Sequence, residues 1–486
     1  MSIIKEIEKE LNFTTTENGD VAYKSTLSAN LDFFGIAGAS RGRQDNIKDI
    51  FKKAMKEDLA TAIKNMFYLR DIRAGLGERE SFRTTLSKLV DKKPEVAIAF
   101  LPYIPEYGRW DDVLVYLDEK ETKQKVADFI KTQLEKDLEN KREGKPVSLC
   151  AKWMPSINAS NNDVRKTAVK LSTLMGMDKK TYRKILSELR DGIIIEKNLT
   201  EKDYSFAYEH VPGRALRKYQ KAYIKNDKER YEEFKNKIKT GEIKAKVKTL
   251  YPHEIIEEIL YSNNKEIDIE YIQAKWNAIK RSQNFENTIV VRDGSGSMWG
   301  DPLNIATALS ILFGEQLTGD FKDKFITFSD SPRFVDLSCA DNILEKVKIC
   351  ENEDEIASTN IEAVYNLLYN ASLKITDEKD YIKRIVIISD MQFNCGAKNV
   401  PTYESMKEKF EAANIPLPEI VYWNVAARTV TFAADASQPN IRFVSGMSNN
   451  IINDLIQCKS INAYDFMLKT LEKYSFVDDL LSQIQY

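Results

Sequence analysis

Two short runs in the second half of the chain limit the fold class more than anything else. TIVV (288–291) is β-branched throughout and IVII (385–388) apolar throughout, and each runs on to an aspartate, Asp293 and Asp390. A strand that is apolar on both faces has both faces covered, as in a parallel sheet between two layers of helix. The intervening sequence agrees. Asp301-Pro302 opens the apolar helix IATALSILFGEQL with proline in its first turn. FITF and PRFVDL read as strands, 360–373 and 403–413 as helices, EIVYWNV as a strand, and RFVSG as a last short strand before terminal helices. Residues 281–486 are therefore expected to form an α/β, doubly wound, Rossmann-like domain.

Residues 1–280 follow another grammar. Ile47, Ile50, Phe51, Ala54, Met55, Leu59, Ile63, Met66 and Phe67 fall on one helical stripe across 45–70. Gly75 and Gly77 break it, and similar helix-and-break units follow, including helices at 121–141 and around RKTAVKLSTLMGM. Strand-like alternation is scarce. The expectation is an all-α, solenoid-like stack of antiparallel helices, HEAT-like in kind, without a fixed sequence period. The Lys- and Glu-rich stretch 221–249 reads as an exposed helix and a basic connector.

Composition narrows the functions. No apolar run approaches the roughly 18 residues that a membrane span needs. MSIIKEIEKELNF lacks the unbroken apolar core of a secretory leader. A cytoplasmic, intracellular protein with no membrane partner is expected. Five scattered cysteines without a CxxC and only two histidines exclude a disulfide framework, a zinc knuckle and a histidine-rich metal site. The net charge of -2 hides an asymmetry. Residues 151–250 carry 24 Lys+Arg against 13 Asp+Glu, whereas residues 281–486 carry 19 against 29. One surface for polyanions and another for cations is one reading; solvated helical faces are the other.

Ligands of doubly wound sheets bind at the carboxyl ends of the strands. There the sequence delivers Asp293-Gly294-Ser295-Gly296-Ser297, then Ser358-Thr359-Asn360 ahead of a helix, then Asp390. Carboxylates and hydroxyls without histidine or cysteine suit a hard cation, Mg²⁺ or another divalent ion such as Mn²⁺. The plainer reading is that Asp and Ser merely cap the next helix, which leaves the other two loops unexplained. The phosphate loop GxxxxGK[ST] and the GxSxG elbow are absent, and DGSGS lacks the second aspartate of a DxD hydrolase. No catalytic residues and no enzymatic activity are expected.

This ordered constellation resembles the metal-ion-dependent adhesion site of a von Willebrand factor A domain. The resemblance implies a metal set of Asp293, Ser295, Ser297, Thr359 and Asp390. The three hydroxyls would coordinate directly and the aspartates mainly through water, with one position open to a carboxylate from a protein partner. The helical half has its own particular segments: LDFFGIAGASRG, YLRDIRAGLGERESFR, LPYIPEYGRWDDVL, AKWMPS, VPGRALRKY and YPHEII. Together with VRDGSGSM, IISDMQF, EIVYWNV and FVSGMSNN, they resemble a family related to the Ro autoantigen. That family joins a TROVE-like helical module (here 1–280) to a von Willebrand A domain (281–486). The resemblance implies a ring of paired helices closed by the second domain, and a ribonucleoprotein role in binding small structured or single-stranded RNA.

Arg70, Arg73, Arg79 and Arg83, with Arg214, Arg217 and Lys218, are the candidate RNA contacts, with Tyr204, Tyr208 and Tyr219 interleaved. Internal salt bridges are the alternative for these arginines. Arg109-Trp110-Asp111 is expected to knit helices together, Trp153 to lie in the core, and His253 to make a helix-start contact. The leading function is non-catalytic RNA binding with a metal-dependent partner site. The alternative is an assembly factor, or a component of a larger particle, that uses the metal site without RNA.

Overall fold

A computed structural model describes residues 7, 11–191, 195–248, 250–261, 267–279, 281, 285–354, 358–394, 396, 400–458 and 461–484. Residue 280, at the expected boundary, and Cys395 lie outside these.

The apolar runs form one six-stranded sheet. Its strands are β3 (Thr288–Arg292), β4 (Lys324–Thr327), β5 (Phe334–Asp336), β6 (Arg384–Ser389), β7 (Glu419–Asn424) and β8 (Ile441–Ser445), in the order β5-β4-β3-β6-β7-β8. β3 pairs in parallel with β6 (Ile289 opposite Ile385), and β6, β7 and β8 continue in parallel. Only the edge strand β5 is antiparallel, on β4. The order reverses between β3 and β6, which is the switch point where such sheets open a crevice at their carboxyl ends. Helix Asp301–Gly314, apolar almost all round, is buried against β3 and β6.

The first half is mostly helical, with three departures from expectation. A small hairpin, β1 (Phe13–Thr15) and β2 (Val21–Tyr23), precedes the helices. At three residues each, its strands are too short for sequence alternation to reveal them. The stripe over 45–70 is two helices, Gln44–Glu57 and Leu59–Arg70. Asp58 adopts extended backbone between them and caps the second by accepting from Thr61 N at 2.7 Å. The stretch 221–249 also differs from an exposed helix and connector, because most of it belongs to two helices that pack inward. Helices Gly213–Asn226 and Lys228–Lys239 bury Leu216, Tyr223, Tyr231, Phe234 and Ile238 with Tyr208 and Tyr271 in a second core.

The main core runs unbroken from the helical half into the sheet. The crossover from β7 to β8 (425–440) holds no helix, and the sheet there is covered by the N-terminal half instead. Helix Ala29–Ile36, capped by Ser28 and buried along nearly its whole length, lies on β8. Gly35 and Gly38 permit the approach: a Cβ on Gly38 would stand 2.4 Å from the Ser445 carbonyl. Gly38 N donates to Ser445 Oγ, which donates in turn to the Phe34 carbonyl, each at 3.0 Å. Tyr23 and Phe432 exchange backbone hydrogen bonds at 2.8 and 2.9 Å. At the far end, the terminal helices Ala463–Leu471 and Phe476–Ser482 return to pack on Leu59–Arg70. Phe476 stacks on Tyr103 at 4.6 Å, and Tyr474 donates to Asp71 at 3.0 Å.

Asp20, buried where the hairpin turn meets helix Thr402–Ala412, accepts from Thr402 Oγ1 at 2.8 Å. Burial, opposed by that hydrogen bond and two backbone amides, pushes its carboxyl from 3.8 up to about 6. A raised acid stabilises the fold below its unfolded value, and that contribution is lost as pH rises through the folded one. Between about pH 4 and 6 the protein should lose on the order of 2–3 kcal/mol through this group. Thermal melts across that range should show a shallower decline for Asp20→Asn than for the parent.

Candidate functional site

The carboxyl ends of β3 and β6 place Asp293 and Asp390 side by side in the crevice. Asp293 N continues the ladder by donating to the Ile388 carbonyl at 3.1 Å, so the aspartate is fixed by the sheet. Its Oδ1 accepts from Ser295 N at 2.9 Å, closing a tight turn, and its Oδ2 accepts from Ser389 Oγ at 2.5 Å. The turn brings Ser295 Oγ within 3.1 Å of Ser297 Oγ, and the Ser297 hydroxyl lies against Asp390. Asp390 Oδ1 accepts from Gln392 N at 3.2 Å. Met391, between them, has φ of 63°, a left-handed conformation rare for a side chain of its size.

Both aspartates are completely buried. Burial pushes Asp293 upward, against hydrogen bonds from Ser389 and Ser295 and the nearby charge of Arg292. Burial, and next the charge of Asp293, push Asp390 up to about 6. Arg292, itself buried, lies beneath the crevice and donates to Thr307 Oγ1 and to Asp354 Oδ1. Asp390 Oδ2 is shut off from water and accepts no hydrogen bond. The nearest cationic group is Arg428 Nε, at 3.4 Å.

Asp293, Ser295, Ser297 and Asp390 are thus brought together. Thr359 is buried on a neighbouring loop, exchanging backbone and side-chain hydrogen bonds with Asn394 at 2.9 and 3.2 Å. None of the described hydrogen bonds joins it to the other four. The arrangement fits a hard divalent cation on two grounds. The donors are all oxygen, and one buried carboxylate oxygen has an acceptor site unused. Among the described residues no cluster of three or more His, Cys, Asp or Glu side chains is placed to hold a metal. An ion here would rest on two carboxylates, with hydroxyls and water completing its shell.

The sequence reading missed Ser389, Gln392, Arg292 and Arg428. Ser389 and Arg292 abut the two aspartates in sequence and could have been read as their supports. Arg428 comes from the helix-free crossover and carried no signal.

The candidate RNA contacts separate into two classes. Arg70 is a correction: it is almost wholly buried, with Nε donating to Asp112 Oδ2 at 2.8 Å, and offers no surface to a polyanion. Asp112 also accepts from Arg83 Nε at 2.6 Å and Arg109 N at 3.0 Å. Arg217 is bound internally as well, to Glu254 and Glu257 at 3.2 and 2.6 Å. Tyr208 is buried and donates to Asp227, so it cannot stack on a base. Arg73, Arg79, Arg214 and Lys218 are exposed. Arg73 donates to the Glu106 carbonyl, and Arg214, over the Tyr251 ring, also pairs with Glu254 at 3.3 Å while staying exposed. Arg79 is held below its usual value by partial desolvation of its guanidinium and by Arg109 and Arg83 beside it. Arg109 stacks on Trp153 at 3.8 Å, and Trp110 on Phe129 at 5.3 Å, tying helices together. His253, at the start of helix Pro252–Leu260, is buried against Tyr251, and burial brings it down to about 3.

Two outcomes follow. Asp112→Ala should cost about 3–5 kcal/mol in chemical denaturation, because it strands a buried arginine. Mg²⁺ at about a hundred times its dissociation constant should add about 2.7 kcal/mol of stability. Thermal melts with metal or EDTA would register that gain, and Asp293→Ala should abolish it while the protein stays folded.

Comparison with known proteins gives three results. Family models described as "Domain of unknown function (DUF2828)" and "Domain of unknown function (DUF7788)" match residues 16–117 with 158–287, and residues 287–475. "Uncharacterized protein L728" of Acanthamoeba polyphaga mimivirus is 30% identical, over 95% of this chain and 88% of that protein. The crystal structure of the Ro (RSR) protein of Deinococcus radiodurans superposes with a TM-score of 0.50 at 14% identity. It covers 92% of this chain and 100% of its own. That last likeness is one of fold.

Proposed function

Because this chain belongs to the same family as the mimivirus protein and has a Ro-like fold, a TROVE-like helical module with a von Willebrand A unit, we propose that it is a non-catalytic RNA-binding protein. Its strand-end site captures a partner through a divalent cation. The observation that carries the RNA reading is the basic excess of 151–250 within the helical half, together with the exposed Arg79, Arg214 and Lys218. The resemblance to Ro-type proteins implies small RNA as the polyanion. Lysines and arginines that neutralise phosphates release counterions, so binding of this kind is salt-dependent and tolerant of sequence. For the metal, the support is the buried Asp390 oxygen that accepts no hydrogen bond, beside the two serine hydroxyls.

A second reading is favoured by the glutamates that occupy Arg217. Where the cations are satisfied internally, the helical half serves as a scaffold, and the protein is an assembly factor using the cation site alone. Purified protein that carries nucleic acid, with a raised 260/280 nm absorbance ratio, supports the first reading.

Charge reversal at Arg79, Arg214 and Lys218 together should weaken binding of a small structured RNA at least about tenfold. It should also reduce the slope of log affinity against log salt by about 2–3. Filter binding across a salt series reads both quantities. Arg217 is left in place because its half-buried side chain bridges Glu254 to Glu257, whereas Arg214 makes an exposed pair with Glu254 at 3.3 Å. Affinity unchanged by the triple variant, or absent at low salt, removes RNA from the assignment.

A further inference from the structure

We propose that Arg428 is a built-in counter-cation of the strand-end carboxylates, one that a divalent ion must displace, and that its loop links this displacement to the helical half. The proposal rests on the reading of this crevice as a cation site.

The geometry carries it in three steps. First, Arg428 reaches across the crevice between two of the elements that form it. Its Nε lies 3.4 Å from Asp390 Oδ2, the buried oxygen that accepts no hydrogen bond, and its Nη2 donates to the Ser297 carbonyl. The guanidinium therefore stands over the atoms that a metal would use. The other groups facing Asp390 are Asp293, the Ser297 hydroxyl and the Gln392 amide. None of these supplies a positive charge.

Second, a guanidinium and a divalent ion drawn to the same oxygen of a buried carboxylate repel one another. Their repulsion is only weakly screened there. Arg428 is about one-third exposed, so its side chain has solvent to swing into. A cation entering the site replaces an ion pair instead of filling a bare acidic hole, and the metal-free site does not leave both carboxylates without a counter-charge.

Third, the loop is held from outside the sheet. Ala427 N donates to the Ala39 carbonyl at 3.0 Å, and the Arg43 guanidinium donates to the Arg428 carbonyl. Both partners belong to the helical half. Gln392 adds a cross-link. Its amide N binds Asp390, its Nε2 donates to Thr429 Oγ1 at 2.8 Å, and its Oε1 accepts from Glu17 N of the hairpin at 2.9 Å. A shift of the helical half at Ala39 and Arg43 moves the residue that covers the metal position. Binding at either place then biases the other, as reciprocal coupling requires.

The test titrates Mn²⁺ into the full chain and counts bound ion by the loss of the free-ion paramagnetic resonance signal. Metal-free melting midpoints are measured in EDTA. Arg428→Gln should bind Mn²⁺ at least about tenfold more tightly than the parent, the order of effect expected when a like charge beside a site is removed. Its metal-free midpoint should fall, because the carboxylates lose their counter-ion. Arg43→Ala, which leaves every crevice residue in place, should tighten Mn²⁺ binding in the same direction by a smaller factor. If Arg428→Gln does not fold, Arg428→Met replaces it. It keeps the length of the apolar stem and removes the charge, so this variant too should bind Mn²⁺ more tightly than the parent. Equal or weaker binding by the Arg428 variant, with a parent that does bind, overturns the proposal and leaves the cation site standing. Equal binding by Arg43→Ala overturns the link to the helical half. No Mn²⁺ bound by the parent or any variant overturns both the site and the proposal.

Discussion

Everything in this molecule depends on how closely helix Ala29–Ile36 approaches strand β8. A doubly wound sheet needs a helix over each crossover, and this chain supplies none between β7 and β8. The N-terminal half covers that part of the sheet, over a backbone separation that tolerates only glycine at Gly38. The two halves are consequently not beads on a string. Their apolar interiors merge, and the hairpin turn at 16–19 reaches Gln392 and Phe393, just beyond the candidate metal position.

The second constraint is electrostatic. Arginine is repeatedly buried against acid: Arg70 on Asp112, Arg292 on Asp354, Arg442 on Glu419. Such pairs gain little net stability, yet each is costly to break from one side. They fix geometry. Arg292 holds the floor of the crevice and Asp112 locks the double-glycine break of the helical half, so neither can serve a ligand.

The sheet was legible because its signal is local and strong. A run such as Ile385–Ile388 admits few alternatives, and the edge strand β5 departed only in direction. The paired aspartates were legible for the same reason, since strand ends tell where their side chains emerge. The helical half was less so. A stripe of apolar residues survives a change of helix axis, so the break at Asp58 left the pattern over 45–70 intact. Arginine content could not be divided into surface and interior, because Arg70 and Arg73 look alike in sequence while one is buried and the other exposed. Arg428 was invisible because its contacts are distant in sequence: Ser297 lies 131 residues earlier, and Arg43, which holds its loop, 385.

That separation has a bearing on how the chain reaches its native state. The bonds from Gly38 and Phe34 to Ser445 span 407 and 411 residues. During synthesis the apolar face of Phe33, Phe34 and Ile36 leaves the ribosome long before its strand exists. Contacts of such range are slow to form, and exposed apolar surface invites aggregation in the interval. The N-terminal helix must therefore wait, sheltered by neighbouring helices or by a chaperone, until the last strand of the sheet has been made.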